Sequence, residues 1–417
     1  MNSHGARSGT SARVRLAGVL AAASITAFAA PAPPAPAQDP DWHIPLAPTD
    51  AGDPQQPDAL RLQLALAHYR ALAAAGGWPV LPADTRLKPG QRDPSVVALR
   101  ERLRVSGDFA GLPGTADAWF YDAGLKSALA TFQERHGLPA TGEPDERTLG
   151  ALNVPAEARV RQLEATLNRW RWLPRNLGPR YLWANVPGGY LELVEDGAPT
   201  LHMRIIAGHR DRPTPSFQDT VSRIVVNPPW SVPRTIAVED LLPTQQEDPT
   251  FLARLGIRVY GAGGRQLDPA RIDWQRVSAT RFPYQLRQDP GPLNSLGRLK
   301  FVLSNPWDIY LHDTPSRRLF DLNSRTLSSG CIRLEQPEML AERLLGSGAP
   351  GGKSFPRESS PRISSGKDFP PGAPPRTRSI EIPRPITLYV VYLASWVTPE
   401  GVVNFRPDVY GWDARLR

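Results

Sequence analysis

The chain has one cysteine, Cys331, in 417 residues. No internal disulfide can form, so the fold rests on packed cores rather than on a disulfide framework. Histidines number only seven, and neither His-Glu-x-x-His nor Cys-x-x-Cys occurs. His202 and His209 stand near each other in sequence, but no carboxylate spacing completes a site around them. No metal and no cofactor are therefore expected. A Gly-x-Ser-x-Gly elbow is also missing, which argues against a serine nucleophile. The net charge of +8 is scattered without a long Lys/Arg run, so nucleic acid is not an expected partner.

Long apolar runs are absent too, except at the start. Arg7, Arg13 and Arg15 precede the apolar stretch from Leu16 to Ala30, and either Ala27-Phe28-Ala29 or Ala35-Pro36-Ala37 suits a signal peptidase. The stretch is short for a membrane span and runs into Pro-rich chain, so residues 1–37 are expected to be a signal peptide for export. An uncleaved segment would instead anchor the chain to a membrane. In an oxidising compartment a lone thiol is either an inert buried residue or a reactive group, and its neighbours have to decide which.

Along the chain, residues 38–57 are Pro- and Ala-rich and read as a flexible leader. Residues 58–95 form a helical scaffold segment, with Leu60, Leu62, Leu64, Leu66 and Leu72 in a helix that Gly76-Gly77 stops. Residues 96–155 suit a small three-helix unit. Val97, Leu99 and Leu103 supply its first helix, and Leu125, Leu129 and Phe132 recur at helical spacing in the second. Asp145 starts the third helix, which carries Leu149 and Leu152. A helical connector, 156–179, ends in Trp170-Arg171-Trp172-Leu173-Pro174.

From residue 180 the period changes to two. Tyr181–Val186, Tyr190–Glu195, Leu201–Ala207, Arg223–Val226, Leu299–Leu303 and Ile309–His312 all read as short strands. Such strands predict a β-sandwich or barrel over 180–345, interrupted by a mixed subdomain at 233–290. Residues 346–377 are Ser-, Pro- and Gly-rich and predict an exposed loop, and 378–417 return to strand character and close the β domain. The fold class expected is α+β and multidomain.

The residues that carry chemistry are Ile309-Tyr310-Leu311-His312-Asp313-Thr314-Pro315 and, further on, Ser328-Ser329-Gly330-Cys331-Ile332-Arg333-Leu334. A thiolate attacks, a thiol does not, and a neighbouring histidine can take the proton. A helix expected from Glu335 to Leu345 would point its first N–H groups at the thiolate and at a developing oxyanion. Ser329 and Gly330 give a tight approach that shapes such an oxyanion site. Tyr310 shares a strand face with His312, and is either a packed aromatic or a group that binds the acyl moiety. Arg333 binds a substrate carboxylate or braces the loop by a salt bridge, bracing being the first expectation. Asp313 should face away from His312, leaving a backbone carbonyl to orient the imidazole. Asn294 reads as a turn residue and Trp230 as a core residue bordering the cleft.

This pattern closely resembles the YkuD-domain L,D-transpeptidases, whose signature is a His upstream of Ser/Thr-x-Gly-Cys-x-Arg. Most of that family has His directly before Gly-Cys; here Ser329 stands there, as in the YcbB-like branch. Asn227-Pro228-Pro229-Trp230-Ser231-Val232-Pro233, Gly291-Pro292-Leu293-Asn294-Ser295-Leu296-Gly297, Arg169 to Pro174 and Gly76-Gly77-Trp78-Pro79 extend the resemblance. Ala128 to Leu138, with Thr141-Gly142 and Asp145, resembles a peptidoglycan-binding domain of the three-helix type.

The resemblance implies a mostly-β YkuD-type catalytic domain with 233–290 as a capping insertion over the substrate. It implies Cys331 as nucleophile, His312 as general acid and base, and Ser329, Gly330, Tyr310 and Arg333 around the oxyanion and substrate. The expected substrates are peptidoglycan stem peptides, a donor tetrapeptide and an acceptor, joined by a 3→3 cross-link in the periplasm. Penicillin-binding proteins are candidate partners, and carbapenems should acylate the same cysteine. Two alternatives share the sequence: an L,D-carboxypeptidase or endopeptidase using water as acceptor, and a non-enzymatic wall-binding protein.

Overall fold

A computed structural model describes residues 57–110, 117–346 and 375–416. The signal peptide, nearly all of the leader and most of the 346–377 loop expected above lie outside the described residues.

Five helices come first: α1 (Pro57–Ala74), α2 (Ser95–Val105), α3 (Ala123–Arg135), α4 (Glu146–Leu152) and α5 (Ala156–Trp170). α1 stops where Gly76 and Gly77 take positive φ. Its buried residues are Ala59, Leu62, Ala65, Leu66 and Tyr69, so Leu60 and Leu64 face outward. The reason is helical period: one stripe of a helix packs, and alternate leucines fall off it. α3 begins at Asp122, whose side chain accepts from the Leu125 N–H, and α4 begins at Asp145, which accepts from Thr148. Leu125, Leu129 and Phe132 are fully buried with Val96, Leu99, Leu103, Leu149 and Leu152 in a core of their own. Val97, expected in that core, is exposed, and Val96 takes its place.

The β domain contains β1 (Arg180–Asn185), β2 (Tyr190–Glu195), β3 (Ala198–Gly208) and β4 (Phe217–Val226). Then come β5 (Trp230–Ser231), α6 (Arg234–Ile236), α7 (Leu242–Glu247), α8 (Phe251–Arg254), β6 (Ile257–Tyr260), β7 (Gln266–Leu267) and β8 (Gln285–Gln288). The chain returns through β9 (Leu299–Val302), β10 (Leu311–His312), β11 (Thr326–Ser328), β12 (Ile332–Leu334) and α9 (Pro337–Leu345). It ends with β13 (Arg378–Val391), β14 (Ser395–Val397) and β15 (Val403–Phe405).

Nine strands form one sheet in the order β11-β3-β12-β10-β9-β4-β13-β1-β2, and β2 pairs back to β3. Eight of the strands, β3 through β2, therefore close on themselves, and β11 is added alongside β3. Most pairs are antiparallel, but β1–β13, β10–β12 and β11–β3 run parallel. The interior is apolar, with Ile205, Ile224, Phe301, Leu311, Ile332, Leu334 and Leu388 at its centre and α9 packed against it.

The insertion is a unit with its own core, built on Ile257, Val259, Trp274, Phe282 and Leu286. It holds a four-stranded sheet, β5-β8-β6-β7, that begins at Trp230, ahead of the boundary expected at 233. On the other side of the barrel, α1 and α5 pack on the outer faces of β1, β13, β14 and β15. Trp170 stacks on Trp183 there at 5.6 Å.

Candidate active site

Strand alternation gathers the site. Leu311 on β10, Ile332 and Leu334 on β12, and Leu299 and Phe301 on β9 all point into the barrel core. Their neighbours therefore point to the opposite face. Register then decides who meets whom: His312 pairs with Lys300 of β9 on one side and with Arg333 of β12 on the other. Tyr310 and Cys331 immediately precede β10 and β12, and the Ile332 N–H donates to the Tyr310 carbonyl at 3.1 Å. Tyr310, His312, Cys331, Arg333 and Lys300 thus share one polar face.

His312 is only 4% exposed. Its Nδ1 lies 2.5 Å from the backbone carbonyl of Asp313, so that nitrogen is the donor and Nε2 is the free acceptor. Burial, with the positive charges of Arg333 and Lys300 nearby, pushes its pKa down to about 3. The imidazole is neutral and able to take a proton. The Asp313 side chain turns away, as alternation requires, and accepts from the N–H groups of Arg298 and Thr314 and from Arg317. Gly297 lies against that carboxylate with φ at 59°; a Cβ there would stand 2.3 Å from Asp313 Oδ2. The shelf that carries the Asp313 carbonyl therefore needs a glycine behind it.

Cys331 is partly exposed, and it is a free thiol. Burial of its sulfur raises its pKa, while the Tyr310 N–H, Lys300, the Tyr310 hydroxyl and Arg333 all pull it back down. Its loop is tied on three sides. Ser328 Oγ donates to the Cys331 carbonyl at 2.5 Å and accepts from the Gly330 N–H, and Thr214 Oγ1 donates to the Gly330 carbonyl at 2.7 Å. Gly330 has φ at 109°, a conformation open to glycine and strained for other residues. Ser329 Oγ accepts from Arg212, whose guanidinium also pairs with Glu239 and Asp240 of the insertion. One arginine thus joins the Cys331 loop to the insertion.

Two expectations need correction. The helix expected from Glu335 is α9, Pro337–Leu345, but Ile332 and Leu334 enter the barrel core and the strand β12 stands between that helix and Cys331. A helix dipole is replaced at the thiol by side-chain cations and a phenol. Nor does Arg333 brace the loop by a salt bridge. Among the described residues no carboxylate pairs with it, its Nε is buried without a hydrogen-bond partner, and burial lowers its pKa. A half-buried guanidinium with free donors is chemically able to receive an anion.

Lys300 was not singled out by sequence. Its Nζ stands 3.8 Å from the centre of the Tyr310 ring, whose edge meets His312 at 5.6 Å between centroids. Desolvation lowers the pKa of Lys300, and the Cys331 and Asp308 charges act against that shift. Burial, reinforced by the Cys331 charge, raises the pKa of Tyr310, so its hydroxyl stays protonated and can donate; Trp230 of β5 bonds to it. Trp230 is accordingly both buried and adjacent to the cleft. Asn294 is a turn brace, donating to Pro228 and Asp289 carbonyls and accepting from the Leu296 N–H.

A free thiol, a neutral buried imidazole and unpaired cations on a mostly-β fold suit acyl transfer to and from a thiol. Comparison with known proteins agrees at the level of domain. Residues 179–372 match the YkuD family, described as "L,D-transpeptidase catalytic domain", and residues 92–152 match one described as "Putative peptidoglycan binding domain". This chain carries an L,D-transpeptidase catalytic domain of the YkuD type preceded by a peptidoglycan-binding domain. A Haemophilus influenzae protein described as "Putative L,D-transpeptidase" is 35% identical over 235 residues, covering 56% of this chain and 45% of that protein. The chain thus spans less than half the length of that relative. Solved L,D-transpeptidases also resemble it distantly. One from Xylanimonas cellulosilytica is 14% identical with a TM-score of 0.24, covering 74% of this chain and 99% of that one. One from Stackebrandtia nassauensis is 13% identical with a TM-score of 0.26, covering 63% and 90%.

Proposed function

We propose that this protein is a peptidoglycan L,D-transpeptidase that forms 3→3 cross-links through a thioester on Cys331. The observation that carries this reading is the face shared by Cys331, His312, Tyr310, Lys300 and Arg333, with His312 locked so that Nε2 is its free nitrogen.

His312 takes the proton of the Cys331 thiol as sulfur attacks the carbonyl carbon of the diaminopimelate–D-alanine bond in a donor stem. The oxyanion that forms is stabilised by donors around the Ser328–Cys331 loop, Ser329 and Gly330 included, and by the Tyr310 hydroxyl. The C–N bond then breaks, the imidazolium returns its proton to the departing D-Ala amine, and a thioester remains. His312 next takes a proton from the side-chain amine of an acceptor stem. That nitrogen attacks the thioester, the C–S bond breaks, and Cys331 recovers its proton.

Arg333 and Lys300 hold the donor carboxylate in this scheme. Both cations depress the basicity of His312 in the empty site. A bound carboxylate offsets that charge, so His312 becomes a better base once the donor is in place. The insertion, tied to Ser329 through Arg212, covers the donor. We also propose export to the periplasm, supported by the Arg7–Ala30 pattern.

The test is a reaction of purified disaccharide-tetrapeptide with the enzyme, read by mass spectrometry. Release of D-Ala with a dimer carrying a diaminopimelate–diaminopimelate bond is expected, and neither product from Cys331→Ala. D-Ala release without dimer would make the enzyme a carboxypeptidase, with water as acceptor.

A further inference from the structure

Away from the thiol, a cleft of about 980 Å³ runs between α4, α5 and the C-terminal residues 405–416. Besides Arg70, three exposed arginines line it: Arg147 on α4, Arg161 on α5 and Arg171 at the end of α5. Among the described residues no carboxylate pairs with any of these three. Acidic residues do line the cleft, but they are already engaged. Glu164 pairs with Arg70 at 2.7 Å, Asp413 pairs with Arg169, and Asp408 accepts from the Tyr392 hydroxyl and two backbone N–H groups.

The floor is cationic as well. Arg159 donates to the Ala151 carbonyl and to Gln162 and lies over the Phe405 ring at 4.5 Å. Arg406 donates to the Arg135 and Phe405 carbonyls and lies over Trp396 at 4.7 Å. Neither has a carboxylate partner among the described residues, and burial lowers the pKa of each to about 10. A cleft of this volume has the size of a ligand site, and guanidinium groups recognise carboxylates by paired hydrogen bonds.

We propose that this cleft is a second, non-catalytic binding site for carboxylate-bearing peptide stems of the wall polymer, formed jointly by the peptidoglycan-binding domain and α5. The proposal rests on the wall-polymer reading above, and it locates the contact at a junction rather than on the small domain alone. A cleft that needs α5 and the C-terminal residues fixes the bound strand relative to the catalytic domain.

The experiment is co-sedimentation of the full chain with purified sacculi, with carbapenem adduct mass as an independent readout of the thiol site. The variant Arg147→Glu/Arg161→Glu/Arg171→Glu should sediment at least about tenfold less while forming adduct at the wild-type rate. A control, Arg376→Glu/Arg378→Glu/Arg384→Glu, makes the same charge change at exposed positions elsewhere and should stay within about twofold. Amidating the carboxylates of the sacculi should abolish wild-type binding, and a free stem tetrapeptide should compete better than inorganic phosphate. Equal sedimentation of the cleft variant and the control, undiminished binding to amidated sacculi, or stronger competition by phosphate would each overturn the proposal. So would wild type that fails to sediment. Charge-sensitive sedimentation without any carbapenem adduct would instead leave the cleft standing and remove the catalytic reading.

Discussion

Two buried histidines, one in each half of the molecule, are held in the same way and both lie near cations, but differ in the other groups around them. His136, at the end of α3, is 5% exposed, and its Nδ1 meets the Phe132 carbonyl at 2.7 Å. His312 is 4% exposed and bonded to the Asp313 carbonyl. Burial lowers the pKa of both. Yet His136 is sandwiched by rings, stacked on Phe132 at 3.9 Å and beside Phe405 at 5.8 Å. His312 shares its strand face with a free thiol, a phenol and two cations. A buried, neutral, tautomerically fixed imidazole is therefore a common structural part. On the proposed mechanism it becomes a base only where a thiol shares its face.

The largest effect expected from this contrast is catalytic. His312→Gln should slow carbapenem acylation of Cys331 by about 10³-fold, whereas His136→Gln should leave that rate unchanged. The second substitution should instead cost about 1–3 kcal/mol of stability by leaving ring stacking and a carbonyl unsatisfied, read by denaturant melts. Equal catalytic losses would erase the distinction.

Next come the cations. Lys300→Met or Arg333→Met should move the pH dependence of iodoacetamide alkylation of Cys331 upward, because each cation lowers the thiol pKa. Acylation at neutral pH should fall by roughly tenfold in each. Arg135→Met, beside His136, should leave alkylation unaltered.

Acid sensitivity sharpens the comparison from the side where the two histidines agree. Each folded imidazole titrates below the ordinary 6.5, so between that pH and about 3 for His312 the unfolded chain binds more protons. Stability is then full above about 6.5 and falls as the pH drops, by up to about 1.4 kcal/mol per pH unit for each histidine. His136→Gln and His312→Gln should each flatten this slope by one share. The smallest effect belongs to Arg212→Ala, which unties Ser329 from the insertion through partly exposed ion pairs. About a threefold loss with a wall substrate is expected, and less with a small carbapenem.

Much of the helical half was legible because one period governs it: Leu125, Leu129 and Phe132 fall on a single stripe, and Asp145 starts the helix that follows. The catalytic half was legible only at its ends. His312 and Cys331 stand out by residue type, and the carbonyl partner of His312 follows from alternation. Lys300 did not stand out, although a lysine between Leu299 and Phe301 breaks an apolar strand and signals an outward polar face. The segment after Cys331 misled because β12 is three residues long, too short for a period to be counted. The strands of the insertion, two and four residues each, were lost for the same reason. The polar face joins strands far apart in the chain, and only register brings Lys300 and Arg333 to either side of His312.

The measurement that bears most directly on the central claim is intact-protein mass after mixing the enzyme with a carbapenem, beside Cys331→Ala and His312→Ala. A single adduct on wild type, absent from Cys331→Ala and slowed in His312→Ala, is the predicted result. A folded wild type that gains no adduct, or a Cys331→Ala variant that gains one, would contradict the assignment of Cys331 as the nucleophile.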